Sequence, residues 1–229
     1  MSGSDRSSIP GEIPVLANLT PEEEALREAE NGLRQFDRMV ELIDSAIAKG
    51  ANPYRLRPST MMELNRYAVE GLMPSPGAFR LGPIGISGTA HQPPPAEDVP
   101  QYVDEMCEYV ADNWSSSPVH LSAYLMWRLN WIHPFNDGNG RTSRAVSYLV
   151  LCTRLGLRLP GTVTIPERIA ANKHPYYAAL DLADSAWKQG SVDVSAMEKL
   201  LSDSLAAQLV AIHELATATS APPPASAKP

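Results

Sequence analysis

Residues 133–144 read HPFNDGNGRTSR. Twelve residues hold one histidine, one aspartate, a Gly-Asn-Gly turn and two arginines three apart. The flanks are of another kind. VHLSAYLMWRLNWI, residues 119–132, precedes the stretch, and AVSYLVLCTRLGL, residues 145–157, follows it. Both are apolar almost all round, which predicts two buried helices. A polar loop fixed between buried helices is a common way to hold functional groups in place. The stretch therefore decides the fold class: all-α, built around a central helix pair.

Working outward, Thr20-Pro21-Glu22-Glu23 announces a helix, with Thr20 as cap, Pro21 at the first helical position and Glu23 closing a capping box. Leu26, Ala29, Leu33, Phe36, Val40, Ile43 and Ile47 follow at alternating spacings of three and four. They predict an apolar stripe packed on the chain's own domain, with Gly50 as the stop. Residues 59–72 read as a second helix, ended by Pro74 and Pro76. Residues 77–95, GAFRLGPIGISGTAHQPPP, favour a short hairpin or extended flap. Residues 97–113, 166–188 and 193–216 complete the helices. The expected organisation is a flexible N-terminus over 1–19, a helix and linker over 20–58 with regulatory potential, a catalytic domain over 59–216, and a disordered tail over 217–229. The tail, TSAPPPASAKP, is of low complexity.

Composition narrows the function. The chain has 229 residues, a net charge of −7, 44% hydrophobic and 20% charged residues. This is ordinary for a globular protein with a sizeable core. The acidic balance and lack of a basic run disfavour nucleic acid and membrane surfaces as partners. Cys107 and Cys152 give no disulfide framework and suggest a reducing compartment. No cleavable signal or membrane-spanning run is visible. Cytoplasmic residence is the expectation, though secretion as an effector by an uncleaved signal would leave no trace here.

The polar loop has a coherent chemistry. Gly138-Asn139-Gly140 lets backbone amides approach a ligand, and a helix starting at Asn139 aims unpaired N–H groups and its positive dipole end at the same spot. Arg141 and Arg144 share one helical face beside it, an arrangement suited to a polyphosphate. Asp137 amid this positive potential makes sense as a Mg2+ ligand, since Mg2+ uses one or two carboxylates together with substrate phosphates. His133 at the edge can take a proton from an attacking hydroxyl. No GxxxxGK[ST], strand-following GxGxxG or HExxH competes with this reading.

The stretch resembles the signature of Fic-domain (Fido) proteins, His-Pro-Phe-x-(Asp/Glu)-Gly-Asn-Gly-Arg-x-x-Arg, and matches every defined position. The resemblance extends over roughly residues 60–190. It implies a compact helical core with a β-hairpin flap, and a protein adenylyltransferase that moves AMP from ATP to a Ser, Thr or Tyr hydroxyl of a target protein with release of pyrophosphate. It implies His133 as the base and Asp137 as the metal ligand. Gly138, Asn139 and Gly140 would form the anion hole, with Arg141 and Arg144 on the phosphates. In the flap, Thr89 and His91 would lie near the nucleotide, and the exposed flap edge would dock the protein substrate as an added strand. Tyr176 or Tyr177 would stack on the base and Asp184 would face it; the alternative for both tyrosines is core packing. The other readings are transfer of another nucleotide or phosphoryl-type group, removal of AMP from proteins, and a non-catalytic nucleotide-binding module.

Many Fic proteins carry an inhibitory Ser/Thr-x-x-x-Glu-Gly/Asn motif whose glutamate pairs with the second signature arginine, here Arg144. Glu30-Asn31 on the N-terminal helix supplies its last two positions, while Leu26 stands where Ser or Thr is required. Glu30 is therefore the candidate inhibitory residue, with a solvated flank charge as the alternative and a separate small inhibitory partner as the other route to regulation. A homodimer stays open.

Overall fold

The computed structural model describes residues 8–10, 19–50, 54–161 and 163–219. Strand β1 (Ser8–Pro10) is followed by helices α1 (Pro21–Ala48) and α2 (Pro58–Val69), strand β2 (Ile84–Ile86), and helices α3 (Val99–Asp112), α4 (Pro118–Ile132), α5 (Asn139–Leu155), α6 (Ile165–Ala171), α7 (His174–Lys188) and α8 (Ser195–Thr219). The architecture is all-α with one small β element. No helix among the described residues is long and apolar enough to cross a membrane.

Helices α4 and α5 form the central pair. Helices α1 and α2 pack on α5, while α7 and α8 pack on α4. Leu121, Leu125 and Leu129 of α4 and Val146, Leu149 and Val150 of α5 are wholly buried. Buried serines let the two helices approach closely: Ser122 Oγ donates to the Ser147 carbonyl at 3.0 Å, and Ser147 Oγ to the Ser122 carbonyl at 2.8 Å. Neither hydroxyl is left without a partner in the core, which removes the cost of burying it.

Helix α1 starts as expected. The Thr20 amide donates to Glu23 Oε2 at 2.8 Å and the Glu23 amide to Thr20 Oγ1 at 3.2 Å. Its buried face is not the expected stripe. Leu26 and Leu33 are 62% and 69% exposed, whereas Asn31, Gln35, Met39, Ile43 and Ala46 are buried. The cause is polar pairing across to α2: Asn31 Nδ2 donates to the Glu70 carbonyl at 2.9 Å and Gln35 Nε2 to the Leu64 carbonyl at 3.0 Å. Amides with such partners can be buried where a stripe read from hydrophobicity alone leaves them outside.

The helix expected over 166–188 is two helices. Pro175 stands in the first turn of α7, where a missing N–H costs nothing, and it has no N–H to continue α6. The 97–113 segment opens with a single 3-10 turn, Ala96–Asp98, before α3.

The flap holds one strand, and that strand's partner lies outside the flap. β2 pairs antiparallel with β1, with Ser8 opposite Ile86, Ile9 opposite Gly85 and Pro10 opposite Ile84. Residues 8–10, read from sequence as part of a loose terminus, are thus the second strand. Of the tail, 217–219 belong to α8, and the expectation for 220–229 lies outside the described residues.

Candidate active site

The loop between α4 and α5 is tied down from several sides. Asn139 folds it on itself: its Oδ1 accepts from the Phe135 amide at 2.9 Å and its Nδ2 donates to the Phe135 carbonyl at 2.7 Å. The buried Asn139 side chain is thereby committed to the loop, so its contribution to an anion hole is its backbone N–H. Asn65 of α2 donates to the Asp137 carbonyl at 2.9 Å and accepts from the Gly77 amide at 3.1 Å. Arg80, 1% exposed, donates to the His133 carbonyl at 2.8 Å, the Gly82 carbonyl at 3.0 Å and the Pro94 carbonyl. One guanidinium thus fastens the base of the flap to the α4–α5 loop, helped by the Arg80 amide bonded to the Pro134 carbonyl at 2.8 Å. Burial lowers the Arg80 pKa from its ordinary value.

His133 caps α4 in the left-handed conformation, φ 51° and ψ 58°, and is 5% exposed. Its Nδ1 faces the Asn130 carbonyl at 3.3 Å. A carbonyl only accepts, so Nδ1 carries the proton and, in the neutral ring, Nε2 is the acceptor. Nε2 lies 2.9 Å from the Ser8 hydroxyl. The imidazole is therefore turned, tautomer and all, to draw a proton from a hydroxyl.

Helix α5 begins beside it. Gly138 sits at φ 74°, and the helix has no side-chain cap. Its first N–H groups and positive dipole end open on a cleft of about 610 Å3. His133, Asp137, Gly138, Asn139, Gly140, Arg141 and Arg144 all line that cleft. Among the described residues Arg144 carries no hydrogen bond or ion pair. Arg141 is held between Asp137 Oδ2 at 2.7 Å and Glu28 Oε1 at 3.1 Å. Asp137 Oδ1 has no hydrogen bond among the described residues. A hard, singly committed carboxylate at an anion-binding helix start fits Mg2+, which completes its shell with phosphate and water oxygens. No group of three or more metal-ligating side chains gathers among the described residues, so such an ion would depend on its nucleotide.

The remaining expected residues divide. Both tyrosines line the cleft: Tyr177 is half-buried, and Tyr176 is 1% exposed with its hydroxyl accepting from Asn130 Nδ2 at 2.7 Å. The two rings lie 5.5 Å apart, centroid to centroid, and Tyr177 is the less buried of the pair. Asp184 is not brought to the cleft: it is buried and accepts from the Trp127 indole at 2.8 Å, stitching α7 to α4. His91 is buried too, its Nε2 2.8 Å from the Trp131 carbonyl and its ring against that indole. Thr89 Oγ1 accepts from the His91 amide at 3.1 Å and donates to Asp181 at 3.4 Å. Neither Thr89 nor His91 lines the cleft, because each serves the fold of the flap. Glu30 lies 3.5 Å from Arg27, with 56% of its side chain exposed. It does not line the cleft, and its neighbour Asn31 takes the inward face.

Sequence reading misses four polar residues of the cleft: Ser8, Glu28, Asn130 and Lys173. Only Asn130 has a local signal, a lone amide one turn ahead of His133 in an otherwise apolar helix.

Residues 55–151 match the Fic/DOC family profile. The chain is 34% identical over 127 residues to the protein adenylyltransferase Fic of Drosophila persimilis, covering 54% of this chain and 23% of that protein. Its counterpart in Nematostella vectensis is 30% identical over 110 residues, 47% and 24% of the two lengths. The chain spans about a quarter of the length of these relatives. Among solved structures it resembles a Fic domain-containing signaling protein from Bacteroides thetaiotaomicron, with a TM-score of 0.64 and 23% identity over 85% of this chain and 73% of that one. Fic-1 from C. elegans aligns with a TM-score of 0.64 and 20% identity, over 90% and 56%. At these identities the structural likeness speaks to the fold alone. The profile match falls on the segment that holds the loop, α4, most of α5 and the flap, and over that segment the chain matches the Fic/DOC family.

Proposed function

We propose that this protein transfers AMP from ATP to a Ser, Thr or Tyr hydroxyl of a target protein, releasing pyrophosphate. The observation that carries the reading is His133 Nε2, set as an acceptor 2.9 Å from a hydroxyl at the mouth of the uncapped α5 start. Adenylyltransferase relatives support the choice of nucleotide. His133 takes the hydroxyl proton, the oxygen bonds to the α-phosphorus, and the bond from that phosphorus to the bridging oxygen breaks, its electron pair leaving with pyrophosphate. The first amides of α5 hold the non-bridging oxygens, and Arg141 and Arg144 take up charge on the β- and γ-phosphates. Mg2+ on Asp137 would neutralise phosphate charge and favour departure of pyrophosphate. Tyr177 offers a face to the adenine.

The test is incubation with each labelled nucleoside triphosphate, Mg2+ and cell lysate. Label from ATP on protein is expected, and His133→Ala loses it, with kcat down about a hundredfold or more and the circular dichroism spectrum kept. Label from UTP or CTP instead changes the nucleotide. A folded His133→Ala protein that still labels at the normal rate overturns the assignment.

A further inference from the structure

Strand β1 gives the flap edge an occupant from the chain itself. Successive strand residues face opposite ways, and the register sets Ser8 toward the cleft and Ile9 away from it. Ile9 is 56% exposed and packs over Gly85, where a Cβ would sit 3.7 Å from the Ile9 Cβ. Ser8, opposite Ile86, lines the cleft beside His133. Its Oγ lies 2.9 Å from His133 Nε2 and 3.4 Å from Asn139 Nδ2. Asn139 can only donate from that nitrogen, so the hydroxyl accepts there and donates its proton to the imidazole. Pro10 closes the ladder, having no N–H to extend it.

These are the relations that the chemistry asks of an acceptor: a backbone held by strand pairing, one hydroxyl in line with the base, and a phosphate site next to it. A serine present only to satisfy His133 would not need the three-residue ladder, and a strand present only to cover the flap edge would not need its hydroxyl on Nε2. We infer that Ser8 is a self-modification site: the N-terminal segment docks on the flap in cis and Ser8 Oγ receives the AMP. This rests on the AMP-transfer reading. The step balances as before, with Ser8 Oγ bonding to the α-phosphorus of ATP, the Ser8 proton passing to His133 Nε2 and pyrophosphate leaving with the electron pair. Because β1 covers the edge that a target strand would use, the unmodified segment also competes with protein substrates.

The full chain is incubated with ATP and Mg2+, and modified sites are mapped by tandem mass spectrometry. AMP on Ser8 is expected, formed with a rate constant independent of protein concentration. Ser8→Thr keeps the acceptor and the label. Ser8→Ala loses the self-label while transfer to lysate proteins persists, and deletion of residues 1–10 raises that transfer. Self-label elsewhere with Ser8 bare, undiminished self-label in Ser8→Ala, or a rate rising in proportion to protein concentration overturns the inference and leaves AMP transfer standing. Absence of label on every protein, from wild type and Ser8→Ala alike, sinks both.

Discussion

Two residues of the loop hold conformations that an ordinary side chain resists. His133 has φ 51°, at a helix end where glycine or asparagine is the common occupant. A left-handed histidine costs about 1–2 kcal/mol relative to glycine. The cost is met by the Arg80 bond to its carbonyl and by the surrounding core, and what it secures is an imidazole whose Nδ1 reaches the Asn130 carbonyl while Nε2 faces the cleft. Gly138 is the opposite case, a place where no side chain fits. At φ 74° a Cβ would lie 2.7 Å from Val69 Cγ1 and 3.0 Å from Asn65 Nδ2. Gly138→Ala therefore combines left-handed strain with displacement of the amide that anchors the Asp137 carbonyl. A loss of about 2–4 kcal/mol in unfolding free energy is expected, together with weaker nucleotide binding. Urea denaturation monitored by tryptophan fluorescence checks the first part; a variant within experimental error of wild type would mean that the loop yields without cost.

At the scale of elements, α1 forms one wall of the cleft. It contributes Ala25, Glu28 and Ala29 to the cleft, and Glu28 pairs with Arg141. Glu30, two residues on, is turned out to solvent beside Arg27. On the AMP-transfer reading, the glutamate placed to compete with phosphate for a signature arginine is Glu28. Its side chain is 50% exposed, so the pair is worth less than about 1 kcal/mol. Glu28→Ala is expected to lower the KM for ATP about two- to fivefold, and Glu30→Ala to leave it unchanged, in initial transfer rates over an ATP titration. Activation by Glu30→Ala without an effect of Glu28→Ala would reverse the assignment. The same helix shows where sequence reading stops. Helices α4 and α5 are legible because residues 119–132 and 145–157 are apolar almost all round, and the loop between them because its groups are contiguous. The face of α1 is not, because Asn31 and Gln35 are buried by carbonyls 39 and 29 residues away, which periodicity does not contain. β1 is illegible for a different reason: Ser-Ile-Pro is too short for any period, and its partner is more than seventy residues on. Asp184 and His91 look like ligand residues by type and turn inward because Trp127 and the Trp131 carbonyl offer partners that composition cannot show.

Across the whole molecule, the site rests on a core in which polar groups are used as fasteners. Arg128 of α4 is almost fully buried, its guanidinium 4.3 Å from the Trp131 ring centroid and 4.5 Å from that of Trp187, joining α4 to the end of α7. Burial lowers its pKa, and the nearby Tyr124 and Glu105 act against that. The acidic groups of the core are shifted the other way. Burial pushes the Cys107 thiol from 9.0 up to about 12, and the Tyr54 and Tyr124 phenols from 10.0 up to about 12. The thiol of Cys152 and the phenol of Tyr148 are raised by burial as well. Each of these groups keeps its proton in the folded chain at a pH where the unfolded chain has released it. Their stabilising contribution is therefore fully present below the unfolded values and is lost as pH rises toward the folded ones. Unfolding free energy is expected to show no fall from these groups up to about pH 8, then to drop steadily between about pH 9 and 12. Urea titrations at stepped pH measure it, with ultraviolet absorbance of tyrosinate as the second readout. Tyr54 and Tyr124 should ionise only with unfolding. A stability that stays level to pH 11, or full tyrosinate absorbance in a chain that is still folded, would show that water reaches this core.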